Sequence, residues 1–230
     1  MKLSTIIGTI KTVQSEGIQK AINNLSDGYI DPDFFPVVET KYGDRYYRAN
    51  VNDITNTFDH YPSLTRITKE DIVFDIGAFV GGFTIPAAKR AKKVYAFEPI
   101  YYEELKKNVA LNNLENTRVW AIALGASRDY ETHSYFRDRK AYTCPFGDMR
   151  NDVEPPTYLK CNCEGGEWSL QPEDFEGITT IEIQFHYSKN FKDNPDLVQW
   201  LRKNYITSEE THETQGVNGI YRVLDLHGRI

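Results

Sequence analysis

Hydrophobic positions along this chain change their period several times, and each change marks an element. In the first 28 residues Ile6, Ile7, Ile10, Val13, Ile18, Ala21, Ile22 and Leu25 recur at roughly helical spacing and stop at Ser26-Asp27-Gly28, which predicts an N-terminal helical segment. Between 34 and 60, "FFPVVET" and "RYYRANVND" flank a turn containing Gly43, the pattern of a small β-hairpin. From 70 onward the apolar runs "DIVFDIG", "KKVYAFEP" and "TRVWAIALG" alternate with the amphipathic stretches "FTIPAAKRA" and "YYEELKKNVALNN". Strands separated by helices of that length predict βαβ units, and hence a parallel sheet with helices on both faces. In the second helix Leu105, Val109 and Leu111 share a core side, while Glu103, Glu104, Lys106 and Lys107 stay in water.

After 125 the pattern loosens, and 126–157 reads as a polar, aromatic, proline-bearing loop of the length that often carries function. "YLKCNCEGGEW" reads as a fourth strand entering a tight turn and "ITTIEIQFHY" as a fifth strand. "NPDLVQWLRKN" follows as a helix capped by Asn194 with Pro195 at its first position, and "YITSEETHET" and "GIYRVLDLHG" supply two last strands. The organisation expected is a helical segment and hairpin over 1–62, packed on a main domain over 63–230.

Composition narrows the function classes. A formal charge of -6 argues against the basic footprint of a phosphate-gripping protein, so no nucleic-acid partner is expected. No apolar run approaches the roughly 20 residues of a membrane span, and no signal-peptide pattern opens the chain, so a cytoplasmic protein without a membrane span is expected. Cys161 and Cys163 are expected on opposite faces of their strand; with Cys144 they make an odd set that favours neither disulfides nor a closed zinc site, so no metal is assigned.

The chemistry starts at "VFDIGAFVGGFT", where Asp75 ends a buried strand and Gly77, Gly81 and Gly82 follow. Ligands of open α/β sheets sit at such carboxyl strand ends. The spacing is G-x-x-x-G-G, which misses the dinucleotide fingerprint. A carboxylate there repels a pyrophosphate but suits S-adenosylmethionine (AdoMet), which carries a sulfonium and an ammonium and no phosphate. The expected cofactor set is Asp75, Gly77, Ala78, Phe79 and Gly81 at the turn, Glu98 and Pro99 after the second strand with Glu98 accepting both ribose hydroxyls, and Ala123 in a small-residue stretch that leaves room for adenine.

"VFDIGAFVGGFTIPAA", "VYAFEPIYYEELKKNVALNN", "VWAIALG" and "LKCNCEGGEW", in that order over about 70 to 187, resemble the FkbM-type methyltransferases, a class I AdoMet-dependent group. The resemblance implies an α/β, Rossmann-like three-layer sandwich whose seven-stranded, mostly parallel sheet has an antiparallel last strand. It also implies O-methylation of a hydroxyl on a sugar, glycan or glycosylated small molecule. By the same resemblance Asp75, Gly77 and Gly81 hold the methionine part and Glu98 the ribose. The sequence departs from the family at Asn162, where an aspartate is usual, which puts a base or metal role there in doubt.

A hydroxyl acceptor must lose its proton as the new bond forms, and a positioned base supplies typically 10²–10⁴ in rate. His186 at the end of the fifth strand, with the better intrinsic pKa, and Glu164 at the turn after the fourth are the two catalytic candidates. Asn162, Glu167 and Trp168 are expected at the acceptor, with a capping role open for Glu167. Two other readings stand beside O-methylation: a binding protein that has lost catalysis, and an N-methyltransferase on another acceptor. For nucleobase N-methylation the turn "NCEGGEW" lacks the N/D-P-P-aromatic loop often used.

Overall fold

A computed structural model describes residues 37–40, 42–47, 61–132, 140–151, 153–188, 192–216 and 219–230. The predicted helical segment of the first 28 residues lies outside them. Strands β1 (Val37–Glu39) and β2 (Arg45–Tyr47) pair antiparallel around Gly43, as the hairpin pattern predicts. The βαβ alternation follows as β3 (Ile72–Ile76), α1 (Thr84–Ala88), β4 (Lys93–Phe97), α2 (Tyr102–Leu111) and β5 (Thr117–Trp120). Further along come β6 (Ala123–Leu124), β7 (Asp129–Thr132), β8 (Lys140–Cys144), α3 (Phe146–Met149), β9 (Tyr158–Cys161), β10 (Thr180–Tyr187), α4 (Pro195–Asn204), β11 (Ile206–Gly216) and β12 (Gly219–Arg229).

Seven strands form the central sheet in the order β11-β12-β10-β9-β3-β4-β5. The pairs β10/β9, β9/β3, β3/β4 and β4/β5 are parallel, and β12 runs antiparallel between β10 and β11. The last strand is therefore the antiparallel one. Parallel strands buried on both faces read as unbroken apolar runs, and all five residues of β3 are buried. One face packs Phe74, Phe97, Leu159, Ile183 and Phe185 against Leu197, Val198 and Leu201 of α4. That helix begins as its sequence dictates: Asn194 Oδ1 accepts from the Leu197 amide at 3.2 Å, with Pro195 next in line.

Side-chain amides of α2 and of its C-cap residue Asn112 dock the hairpin. Asn108 Oδ1 accepts from Tyr47 N at 2.6 Å, while Asn112 Oδ1 accepts from Arg45 N at 3.0 Å and its Nδ2 donates to Arg45 O at 2.6 Å. One turn of helix thus offers β2 the partners a neighbouring strand would. Leu105 and Val109 are buried as the periodicity predicts, whereas Leu111 is only half-buried.

The stretch read as an irregular loop differs most from expectation. β6, β8 and β7 make a three-stranded sheet of their own, followed by α3. Strands of two to five residues leave too short an alternation to stand out in polar surroundings. Gly125 serves this small sheet, since a Cβ there would lie 2.8 Å from Thr143 Cβ.

Candidate active site

The glycine turn lies between the ends of β3, β4 and β9. Gly77 has φ +72°, and a Cβ on it would stand 1.8 Å from the backbone oxygen of Asn162. Gly81 has φ +99°, with Leu105 Cδ1 2.9 Å from a built Cβ. The space that these two glycines leave is therefore taken by the protein's own chain at β9 and α2, where the sequence suggested a ligand. Phe79, between them, holds φ 50° without being glycine. Its amide donates to Glu98 Oε2 at 2.8 Å, and its ring meets that of Tyr101 at 4.5 Å, which together hold a conformation costly for a large side chain.

Glu98 also accepts from the Ile100 and Tyr101 amides at 2.7 and 3.0 Å, both on Oε1. Burial raises its pKa above the usual carboxylate range, against the pull of these amides. A carboxylate offers roughly four lone-pair sites, and backbone occupies three of them. The turn's own backbone thus takes up much of the accepting capacity expected to serve ribose hydroxyls. Ala78 is buried at the turn, and Pro99 is half-buried beside Glu98. Ala123 pairs with Thr143 in the small sheet, and Leu124 O would lie 2.5 Å from a Cβ on Gly166. The smallness of 121–125 thus serves close packing against β8 and the β9 exit as well as any adenine.

Asp75 is fully buried, with Lys160 Nζ 2.8 Å from Oδ1 and the Thr84 hydroxyl donating to Oδ2. Asp75 is therefore not the uncompensated anion that the sequence alone suggests. Lys160 makes it half of an ion pair, a partner that lies 85 residues away in sequence but directly opposite in the β3/β9 register.

At the other end of the rim, Glu164, Glu167 and His186 come together. Glu164 (φ 59°) and Gly165 (φ +109°) turn the chain sharply out of β9, and Glu167 follows in a 3₁₀ turn over Gly166–Ser169. Glu167 has no exposure; its Oε1 lies 2.9 Å from His186 Nδ1 and accepts from His186 N at 2.7 Å, while Oε2 accepts from Gly165 N at 2.9 Å. The partly exposed Glu164 places Oε1 3.6 Å from His186 Nε2. Burial alone would pull the His186 pKa down, but Glu167, Glu164 and Asp225 lift it to about 9. Burial opposes ionisation of Glu167 as well, and the imidazolium more than offsets it, leaving that pKa lowered. Burial leaves Glu164 raised. A histidine held charged at neutral pH does not accept a proton there, which reverses the expectation that His186 is the better base.

Two of the three residues expected at the acceptor do different work. Glu167 is sealed beneath His186, and the indole of Trp168 donates from Nε1 to His186 O at 2.7 Å while stacking near Phe185 and Tyr187. Both position His186. Trp168→Phe keeps an aromatic ring but leaves that carbonyl without its indole donor, and should cost about 1–3 kcal/mol; a urea midpoint equal to wild type would show that the bond contributes nothing. Asn162, the third, donates from Nδ2 to the Tyr61 hydroxyl at 3.1 Å. Cys161 and Cys163 do not point apart: their sulfurs are 3.6 Å from each other, with Cys161 ending β9 and Cys163 two residues on, the spacing that shares a face in extended chain. Among the described residues no group of three or more His, Cys, Asp or Glu side chains is arranged to hold a metal ion, and no helix is long and apolar enough to cross a membrane.

No family model matches the chain. Among curated proteins, the tRNA (guanine(37)-N(1))-methyltransferase of Anopheles gambiae is 43% identical over 58 residues, 24% of this chain and 10% of that protein. A probable cobalt-precorrin-6B C(15)-methyltransferase (decarboxylating) of Methanocaldococcus jannaschii is 38% identical over 56 residues, 24% of this chain and 31% of that protein. Among solved structures, the complex of aTrm5 and tRNALeu matches with a TM-score of 0.50 at 17% identity, covering 85% of this chain and 53% of that one. The fold is that of the class I AdoMet-dependent methyltransferases. The matched curated relatives above are methyltransferases, in line with the enzyme class and cofactor expected from the sequence. The chain spans less than a third of the length of those relatives.

Two expectations are corrected by these matches. A relative named for a guanine nitrogen of tRNA, and a fold relative bound to tRNA, stand against methylation of a sugar hydroxyl and against the absence of a nucleic-acid partner. Net charge misled because it averages over the whole chain, whereas an RNA contact needs only a local surface. The FkbM-type likeness gains no family match and is retained only at the coarser level of class I.

Proposed function

We propose that this chain is an AdoMet-dependent methyltransferase whose acceptor is a nitrogen of an RNA base, with Glu164 as the base. The arrangement that carries the reading is the Glu164–His186–Glu167 cluster at the rim where the ends of β9 and β10 meet the glycine turn. The bound cofactor supplies an electrophilic methyl on a sulfonium, whose leaving group is already good. The protein's task is then to orient the acceptor and take one proton.

A base-ring N–H sheds a proton on methylation just as a hydroxyl does. Glu164, partly exposed and raised by burial, is placed to receive it; His186, held charged by Glu167, stabilises the carboxylate before transfer. Asp75, Gly77, Ala78, Phe79, Gly81, Glu98, Pro99 and Ala123 line or shape the cofactor edge, with Glu98 the direct hydroxyl acceptor. Asn162 is assigned to the acceptor side, with its amide held by the Tyr61 hydroxyl. The tRNA-acting relatives support the acceptor class, and the Glu164-Gly165-Gly166-Glu167 block, which is the part most like the FkbM-type group, supports the assignment of the rim.

Incubation with methyl-labelled AdoMet and an unmodified tRNA transcript should put label into RNA as a methylated base. Glu164→Gln should lower that incorporation by about 10²-fold or more while leaving AdoMet affinity within a few-fold. Tight AdoMet binding with no label in any RNA offered would sink the acceptor assignment and leave the cofactor assignment standing.

A further inference from the structure

One row of the central sheet carries ionisable side chains on four adjacent strands. Register places Asp75 of β3 beside Lys160 of β9, Lys160 beside Glu182 of β10, and Glu182 beside His227 of β12. Acid and base alternate along the row, and Glu182 contacts His227 Nδ1. Asp75, Lys160 and Glu182 are buried.

Lys160 matters most for the site. Besides lying 2.8 Å from Asp75 Oδ1, its ammonium donates to the carbonyls of Gly77 at 2.7 Å and Ile76 at 3.3 Å. The rings of Tyr61 and Phe83 lie over it, with centroids 5.7 and 6.0 Å from Nζ. Its stem leaves the middle of β9, so a rigid strand carries the cation that both neutralises the acid at the end of β3 and grips the carbonyls opening the glycine turn. A lysine this buried, donating to two turn carbonyls and ion-paired with the acid beside them, is costly to keep without those partners.

We propose that Lys160 is a positioning residue of the cofactor site: it fixes the Ile76–Gly77 carbonyls and cancels the charge of Asp75, so that this acid gives the sulfonium donor little advantage over its neutral thioether product. The inference rests on the AdoMet reading above. AdoMet carries one positive charge more than S-adenosylhomocysteine. A lone carboxylate at the turn would favour the donor, whereas a neutral pair cannot.

Calorimetry of the full chain with each ligand separates the possibilities. Wild type is expected to bind AdoMet and S-adenosylhomocysteine with affinities within about threefold of each other. In Lys160→Met both should weaken as the turn loses its anchor, and the ratio should shift about tenfold toward AdoMet, the only one of the two ligands whose sulfonium can offset the unpaired carboxylate. Asp75→Asn, which keeps a partner for the Thr84 hydroxyl, should shift the ratio about tenfold the other way, and it carries the test alone if the first variant does not fold. The double variant removes both charges and should restore the wild-type ratio, a return that a merely structural role for Lys160 does not predict. One common ratio across wild type and the folded variants overturns the inference; a wild-type chain that binds neither ligand overturns the cofactor reading itself.

Discussion

Gly77→Ala is expected to lose measurable AdoMet binding and to lower the stability of the domain by about 3 kcal/mol or more. Two independent costs meet at this residue. Its φ of +72° is open to glycine and expensive for alanine, by roughly 1–2 kcal/mol. The added methyl would also stand 1.8 Å from the backbone oxygen of Asn162, which cannot rotate away as a side-chain tip can. Relief requires that β3 and β9 separate at their carboxyl ends, with an overpacking cost of about 1–3 kcal/mol. The same movement pulls the Gly77 carbonyl from Lys160 and shifts the turn that Glu98 holds through Phe79. Denaturant unfolding and calorimetry measure the two effects. Gly147→Ala is the control, because a Cβ there meets nothing within 4 Å and the residue sits in α3; it should be neutral or slightly stabilising. A Gly77→Ala protein with the midpoint of its Gly147→Ala counterpart would falsify the close crossing of β3 and β9.

That crossing shows where sequence reasoning succeeds and where it stops. Hydrophobic period and turn residues are local, so the strand–turn–helix order and the Asn194 cap were legible in the sequence, while the antiparallel last strand was implied only by the family resemblance. The partner of a glycine or a carboxylate is not local. Gly77 meets Asn162, Asp75 meets Lys160, and Gly125 meets Thr143, each across the sheet or between sheets. In each case the sequence displayed the residue that makes room and not the one that fills it. Lys160 did carry a signal: a lysine inside the apolar strand "YLKC" is rarely buried without a partner. The thiol pair was legible too, since Cys161 and Cys163 are two apart and must share a face. The acceptor was least legible, because net charge and a motif likeness stood in for a surface that neither describes.

Glu167→Gln is expected to remove most of the pH dependence of stability between about pH 6.5 and 9, along with a few kcal/mol of stability at neutral pH. His186 rises from its ordinary 6.5 to about 9 in the folded protein, because Glu167, Glu164 and Asp225 more than offset the burial that opposes its charge. The folded state therefore holds a proton that the unfolded state releases near 6.5. This contribution is fully present below pH 6.5 and declines as pH rises toward 9; at about 1.36 kcal/mol per pH unit it amounts to roughly 3 kcal/mol. Glutamine keeps an oxygen for the His186 amide and removes the charge that holds the imidazolium. At pH 6 the variant should melt about 6–12 °C below wild type, with the gap closing toward pH 9. Methyl transfer should fall with it, since a neutral His186 no longer holds Glu164 ionised at 3.6 Å, and the loss should appear in kcat more than in the KM for AdoMet. A variant whose melting curve tracks wild type in parallel from pH 6 to 9 would mean that the His186 proton is not held by Glu167, and the assignment of Glu164 as the base would lose its electrostatic support.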